Sequence, residues 1–241
     1  MAAELARPPA SMSGSEHQPS NVASRLATVR ARIAAVAERI GRDQESIALI
    51  AVSKRKPVED IVAAYEAGQR DFGENYVQEF ASKHERLLTL DDARFHFIGK
   101  LQSNKAAKAA QLFSAVHTVD SAKLARRLDR FGKPLEVFLE VKLSPEDSKS
   151  GMDAALLESV IEDVAAAPNL RLAGLMTMPP WNSDPEHARP YFRRLRELAQ
   201  RHGVNGLSMG MSHDLEVAIE EGATHVRIGT AIFGPRDPLP G

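Results

Sequence analysis

Eight short apolar runs recur along this chain, and seven of them are followed by a segment with helical periodicity. The runs are "SIALIAVS", "DFG", "RFHFIG", "FSAVHTVD", "PLEVFLEVKL", "LRLAGLMTM", "GLSMG" and "THVRIGTAIFG". Short runs with few polar interruptions suit strands buried on both faces. Strands that alternate with helices need crossover connections, and so build a parallel sheet. Eight such repeats in 241 residues predict an α/β protein with a closed (β/α)8 TIM barrel rather than an open doubly wound sheet. The GxGxxG turn of a dinucleotide fold is absent after the first run, and "GMSHD" and "IGTAIFG" are too short and wrongly spaced to replace it.

An extra N-terminal helix precedes the first repeat. Val22, Leu26, Val29, Ile33, Val36 and Ile40 share one helical face, and Gly41 stops it. Residues 1–20, rich in Ala, Pro and Ser, read as a disordered N-terminal tail. The tail has no apolar core for a secretion signal, and Glu4 and Glu16 argue against a transit peptide. No composition shift divides the remainder, so residues 21–241 are expected to form a single domain. A net charge of −1 with mixed signs offers no basic block for nucleic acid, and no apolar run is long enough to cross a membrane. Cysteine is absent, which removes thiol chemistry and is consistent with a cytoplasmic protein. The charged helix faces point to a monomer.

Barrel active sites lie at the C-terminal ends of the strands. Those ends deliver Ser53 and Lys54, Glu74 and Asn75, Lys100, Lys142, Met176 and Thr177, Gly210 to Ser212, and Arg227 to Thr230. A lysine after a strand is ordinarily a solvated loop residue. Lys54, however, leaves a strongly apolar strand and precedes Arg55 and Lys56. Partial burial and neighbouring positive charge both favour the neutral amine that a Schiff base requires. The loops after strands seven and eight commonly hold phosphate in such barrels, and "SMGMS" and "IGTAIFG" supply glycines and small hydroxyls there. Equally, Gly210 and Gly229 could only make tight turns, and Ser212 could only cap a helix. Arg227, inside an apolar strand, either pairs with a carboxylate such as Glu140 or contacts a ligand. His96, His117 and His225 show no metal-site spacing and read as core or rim histidines. Glu74 reads as an acid/base group or as an ion-pair partner. Trp181, after two prolines, either covers the site or packs on the surface.

The blocks "AVSKRKP", "FGENYVQE", "HFIGKLQSNK", "SKSGM", "LAGLMTMPP", "LSMGMSHDLEVAI" and "VRIGTAIFGPR" together resemble the pyridoxal-phosphate homeostasis protein family, from about Val22 to Arg236. The resemblance implies the type III pyridoxal-phosphate fold, a barrel like the N-terminal domain of alanine racemase. It implies pyridoxal 5'-phosphate as cofactor, held by Lys54 as a Schiff base. Asn75 and Met176 are implied to lie in the cofactor pocket. Ser212, Gly229 and Thr230 are implied to bind the phosphate, and Arg227 to face the pyridine nitrogen. An arginine there keeps that nitrogen unprotonated and weakens the electron sink that carbanion chemistry uses. Lys100 departs from the family pattern and adds charge at the rim.

By the same resemblance, the expected role is cofactor binding within intracellular pyridoxal-phosphate homeostasis, with no catalytic residues and with cofactor-requiring apoenzymes as partners. A racemase of this fold needs a second base on an added β domain, and the chain is expected to lack one because it ends soon after "FGPRDPLPG". Tyr76, beside Asn75, could reach the barrel mouth or pack on the following helix. The alternatives are a weak amino-acid racemase and, from the chemistry of the residues alone, a Schiff-base aldolase acting on a sugar phosphate.

Overall fold

The structure, a computed structural model, describes residues 20–144 and 150–235. The expected disordered tail lies outside the described residues except for Ser20, which opens the first helix. Lys149 of "SKSGM" and Arg236 of "GPR" also lie outside them.

Helix α1 (Ser20–Arg39) buries Val22, Leu26, Val29, Ile33 and Val36. Gly41, at φ +66°, turns the chain out of it. Ile40 does not join that face: it lies past the helix end and is largely exposed. Eight strands follow: β1 (Ala48–Val52), β2 (Asp71–Glu74), β3 (Arg94–Phe97), β4 (Ala115–Val119), β5 (Leu135–Glu140), β6 (Leu170–Met176), β7 (Leu207–Ser208) and β8 (His225–Ile228). Each pairs in parallel with the next, and β8 pairs with β1, so the barrel closes as the alternation predicts.

The crossovers carry α2 (Val58–Glu66), α3 (Val77–His84), α4 (Ala106–Leu112), α5 (Ala122–Asp129), α6 (Leu157–Ala165), α7 (Arg189–Arg201) and α8 (Leu215–Glu220), and α9 (Thr230–Phe233) follows β8. The helix after β7 begins three residues later than Ser212, with Asp214 at its cap. Buried Asp214 instead accepts the Met211 N–H at 2.6 Å, so Ser212 is not a helix cap. Pro57 caps α2.

Two cores result. Outside the sheet, Phe80 of α3 packs on Phe95 and Phe113 with ring centroids 4.6 and 4.8 Å apart, and Phe97 meets Phe113 at 5.3 Å. Burying each such ring stabilises the fold by roughly 3 kcal/mol. Inside the barrel the packing is mixed. Gly73 has no room for a side chain: a Cβ there would lie 2.9 Å from Ile50 and 3.0 Å from Ile98. The interior also carries polar groups, with His96, His117, Glu140, Ser208 and Arg227 buried there, whereas buried Glu74 shares the outward face of β2 with Phe72 and lies toward Lys83 of α3. Among the described residues no helix is long and apolar enough to cross a membrane.

Candidate functional site

The polypeptide turns sharply where β1 leaves the barrel. The Lys56 N–H donates to Ser53 O at 3.0 Å, closing a four-residue turn around Lys54 and Arg55. Arg55 has φ +58°, the only non-glycine positive φ among the described residues. A non-glycine residue pays about 1–2 kcal/mol for that conformation, so surrounding bonds must hold it. They do so on both sides of Lys54. Ser53 N–H donates to Gly73 O at 2.9 Å, and Ser53 Oγ donates to Glu74 Oε1 at 2.8 Å. Arg55 N–H donates to Glu79 Oε1 at 2.6 Å. Lys83 Nζ bonds Glu79 at 2.5 Å and lies 3.7 Å from Glu74, joining the two clamps. Burial pushes the Glu74 carboxyl up, Lys83 and the Ser53 bond pull part of the way back, and the result is about 7.

This turn opens on a cavity of about 330 Å³ at the C-terminal mouth. Lys54, Asn75, Ser212, Arg227, Gly229 and Thr230 all line it, so the mouth brings together six of the seven residues expected to bind the cofactor. Met176 is the exception. It is fully buried at the end of β6, with its Cα paired to Glu140 and Ser208, and the cavity wall is Met178, two residues on. Asn75 is fixed by close approach: a Cβ on Gly99 would sit 2.3 Å from Asn75 O. Its side-chain Oδ1 is buried without a hydrogen-bond partner. An unsatisfied buried oxygen beside a cavity is suited to a ligand donor.

Arg227 is 4% exposed and forms no ion pair with Glu140. Its Nη1 donates to Ser208 Oγ at 2.7 Å and its Nη2 to Thr177 O at 3.3 Å. Burial lowers the guanidinium to about 10, with Asp214 and Glu140 opposing from a distance. Glu140 is itself raised to about 7 by burial and by Asp120. The phosphate-suited side is anchored by α1, whose Arg32 bonds Glu216 at 2.8 Å and Ser212 O at 3.3 Å. Gly210 is at φ +92°, and a Cβ there would lie 2.4 Å from that of Ala218, so only glycine turns this loop. Gly229 has ordinary clearance of 3.4 Å. Trp181, 79% exposed, forms part of the cavity wall near His213, with ring centroids 6.4 Å apart. Tyr76 caps α3, is largely exposed, and lies under the Arg55 guanidinium.

Several of these residues were not singled out in the sequence. Lys56, Met178 and His213 line the cavity, and Lys56 Nζ donates to Pro235 O at 2.8 Å. Glu79 lies in the first turn of α3 and closes the block "FGENYVQE", where no role was assigned to it. A second cavity, about 400 Å³, opens at the opposite end beside Arg30, Gln69, Arg70 and Asp71. Its arginines are occupied by the carbonyls of Ala67, Gly68 and Tyr65, and it has no lysine or hydroxyl cluster.

A parallel barrel with a lysine, a buried arginine and small hydroxyls at its C-terminal mouth matches a defined class. Residues 24–237 match the family model described as alanine racemase, N-terminal domain. Alanine racemase from Corynebacterium glutamicum shares the fold, with a TM-score of 0.66 at 17% identity over 89% of this chain and 60% of that one. The chain belongs to the pyridoxal phosphate homeostasis protein family within that class. Relatives so named from Pseudomonas aeruginosa and Escherichia coli are 47% and 45% identical, each over 90% of this chain and 97% of the relative. PipY from Synechococcus elongatus, solved with PLP bound, is 40% identical with a TM-score of 0.78, covering 88% of this chain and all of PipY.

Proposed function

We propose that this protein binds pyridoxal 5'-phosphate at the C-terminal mouth through Lys54 and takes part in holding the cofactor in reserve, without catalysing a reaction of its own. The observation that carries the reading is the convergence of Lys54, Arg227 and the unsatisfied Asn75 Oδ1 on one cavity. The cavity size falls in the range of about 300–1,000 Å³ usual for small-molecule sites. The donor set also fits the group: an amine for an aldehyde, hydroxyls and backbone N–H groups for a phosphate, and a guanidinium for a ring nitrogen.

When bound, the cofactor would supply an aldehyde carbon for the Lys54 amine and a phosphate dianion. Ser53 and Arg55, gripped by Glu74 and Glu79, keep Lys54 directed from the end of β1. Ser212, Gly229 and Thr230 hold the phosphate, and α1 holds the Ser212 loop through Arg32. Arg227 donates to the ring nitrogen, and Asn75 Oδ1 accepts a ligand donor. A guanidinium at the nitrogen leaves the ring a poor electron sink, which supports storage over carbanion chemistry. Relatives of 45–47% identity named for homeostasis support the same reading, and cofactor-requiring apoenzymes are then its recipients.

The purified protein is expected to show a visible absorbance band with added cofactor, and Lys54→Ala to abolish it. Wild-type protein that takes up no cofactor would remove the reading. A weak racemase is the second reading, favoured by one observation: His213 shares the cavity with Lys54 and could carry a proton. Exchange of an α-proton for solvent deuterium on a free amino acid, lost in His213→Gln, would establish it.

A further inference from the structure

Four hydrogen bonds run in series through the barrel interior. Arg227 Nη1 meets Ser208 Oγ at 2.7 Å, and Ser208 Oγ meets His117 Nδ1 at 2.8 Å. His117 Nε2 meets His96 Nδ1 at 3.0 Å, and His96 Nε2 meets Asp71 Oδ1 at 2.9 Å. Five elements contribute one residue each: β8, β7, β4, β3 and β2. Arg227 lines the cavity at the C-terminal mouth, whereas Asp71 lines the one at the opposite end.

Chemistry fixes the two ends of this series, a cation that only donates and a carboxylate that only accepts. A guanidinium can only donate, so Ser208 Oγ accepts from Arg227. With both rings neutral, the Ser208 hydroxyl gives its proton to His117 Nδ1, which makes Nδ1 an acceptor and places the His117 proton on Nε2. That proton goes to His96 Nδ1, so His96 also carries its proton on Nε2 and donates it to the Asp71 carboxylate. In this arrangement both rings are Nε2–H tautomers, and all four bonds point from the cation to the anion. Burial holds His117 well below its ordinary value, and the Arg227 cation adds repulsion. Burial acts on Asp71 in the opposite sense, but the His96 bond and Arg94 outweigh it and keep that carboxyl low. His225 lies beside the series without joining it: its Nδ1 is bonded to Thr224 at 2.8 Å.

Packing alone does not call for these residues. His117 stacks on Phe138 at 4.1 Å, a contact that phenylalanine would also make. A fully connected polar series does what an apolar core cannot: it orients a buried charge that has no carboxylate in contact.

We propose that Asp71, His96, His117 and Ser208 act as one positioning chain, which holds Arg227 as a fixed donor toward the cavity and couples it to a carboxylate at the far end of the barrel. The chain selects a ligand whose facing atom accepts a hydrogen bond, since a protonated ring nitrogen would meet Arg227 donor to donor. This last consequence rests on the proposed cofactor; the chain itself does not.

The test has two arms. In the ligand-free protein, long-range 1H–15N NMR of the imidazoles near neutral pH is expected to show His96 and His117 both as Nε2–H tautomers, with slowly exchanging Arg227 guanidinium protons. His117→Phe is expected to speed that exchange while the fold persists. An Nδ1–H tautomer at either histidine, or unchanged Arg227 exchange in His117→Phe, overturns the chain. If His117→Phe does not fold, Asp71→Asn gives the same readout from the exposed end. In the second arm, pyridoxal 5'-phosphate is titrated into each protein. Loss of one charge-assisted bond's support predicts about tenfold weaker binding for His117→Phe. Both variants should also show a visible band that shifts with pH, whereas the wild-type band does not. Wild-type affinity with a pH-independent band in both variants overturns the coupling to the ligand. Failure of the wild type itself to bind strikes the proposed function and leaves the first arm to decide the chain.

Discussion

Glu74 offers a stability test that can be worked from the structure. Its side chain is fully buried, one oxygen has no partner, and its carboxyl is pushed from 4.5 up to about 7. Between those values the folded protein keeps a proton that the unfolded chain releases. Folding therefore takes up a proton, and stability falls as pH rises through that window. The penalty is absent below the unfolded value and complete above about pH 7, where it reaches about 3 kcal/mol. Glu74→Gln removes the titration but keeps an oxygen to accept from Ser53 Oγ. Lys83 loses its 3.7 Å neighbour but keeps Glu79 at 2.5 Å. Glu140 titrates in the same range, but it is present in both proteins and cancels in the difference. The variant should therefore gain stability over wild type by about 2.5 kcal/mol more at pH 8 than at pH 5. Urea unfolding of both proteins at the two pH values measures this. A difference that stays constant across them would refute the argument that buried Glu74 resists ionisation.

Three further outcomes are expected. Gly210→Ala should destabilise by roughly 2–4 kcal/mol in urea, since a Cβ there meets that of Ala218 at 2.4 Å and φ is +92°. Phe80→Ala removes the ring shared by Phe95 and Phe113 and should lose about 3–5 kcal/mol by the same assay. Trp181 is the single tryptophan of the chain and part of the cavity wall, so its fluorescence should change when pyridoxal 5'-phosphate is added; an unchanged signal during uptake would place the ligand elsewhere.

The barrel was legible because its signal is local and repeated. Each strand is a short apolar run, and each crossover carries its own helical period. Lys54 was legible for a related reason: an apolar strand leading straight into "SKRK" marks a side chain at a barrel mouth. Gly210 was half legible, as a turn or as a phosphate contact, and its steric conflict with Ala218 shows that the turn itself requires glycine. Met176 is buried at the end of β6 and does not line the cavity, whereas Met178 does. Met178 lies past the end of β6, and a run as apolar as "LAGLMTM" does not mark where the strand stops and the opening begins.

Composition and periodicity thus determined the closed parallel barrel and most of the residues that its strands deliver to the C-terminal mouth. Only the tertiary structure decided what holds them. Arg227 could have paired with Glu140 as far as the sequence shows, and it bonds Ser208 instead, because the register of β7 beside β8 puts that hydroxyl within reach. The clamp of Glu79 on Arg55 and the series from Arg227 to Asp71 have the same origin. Their bonds join residues 19 to 91 positions apart, and such contacts depend on strand order and stagger around the barrel, which no local pattern encodes.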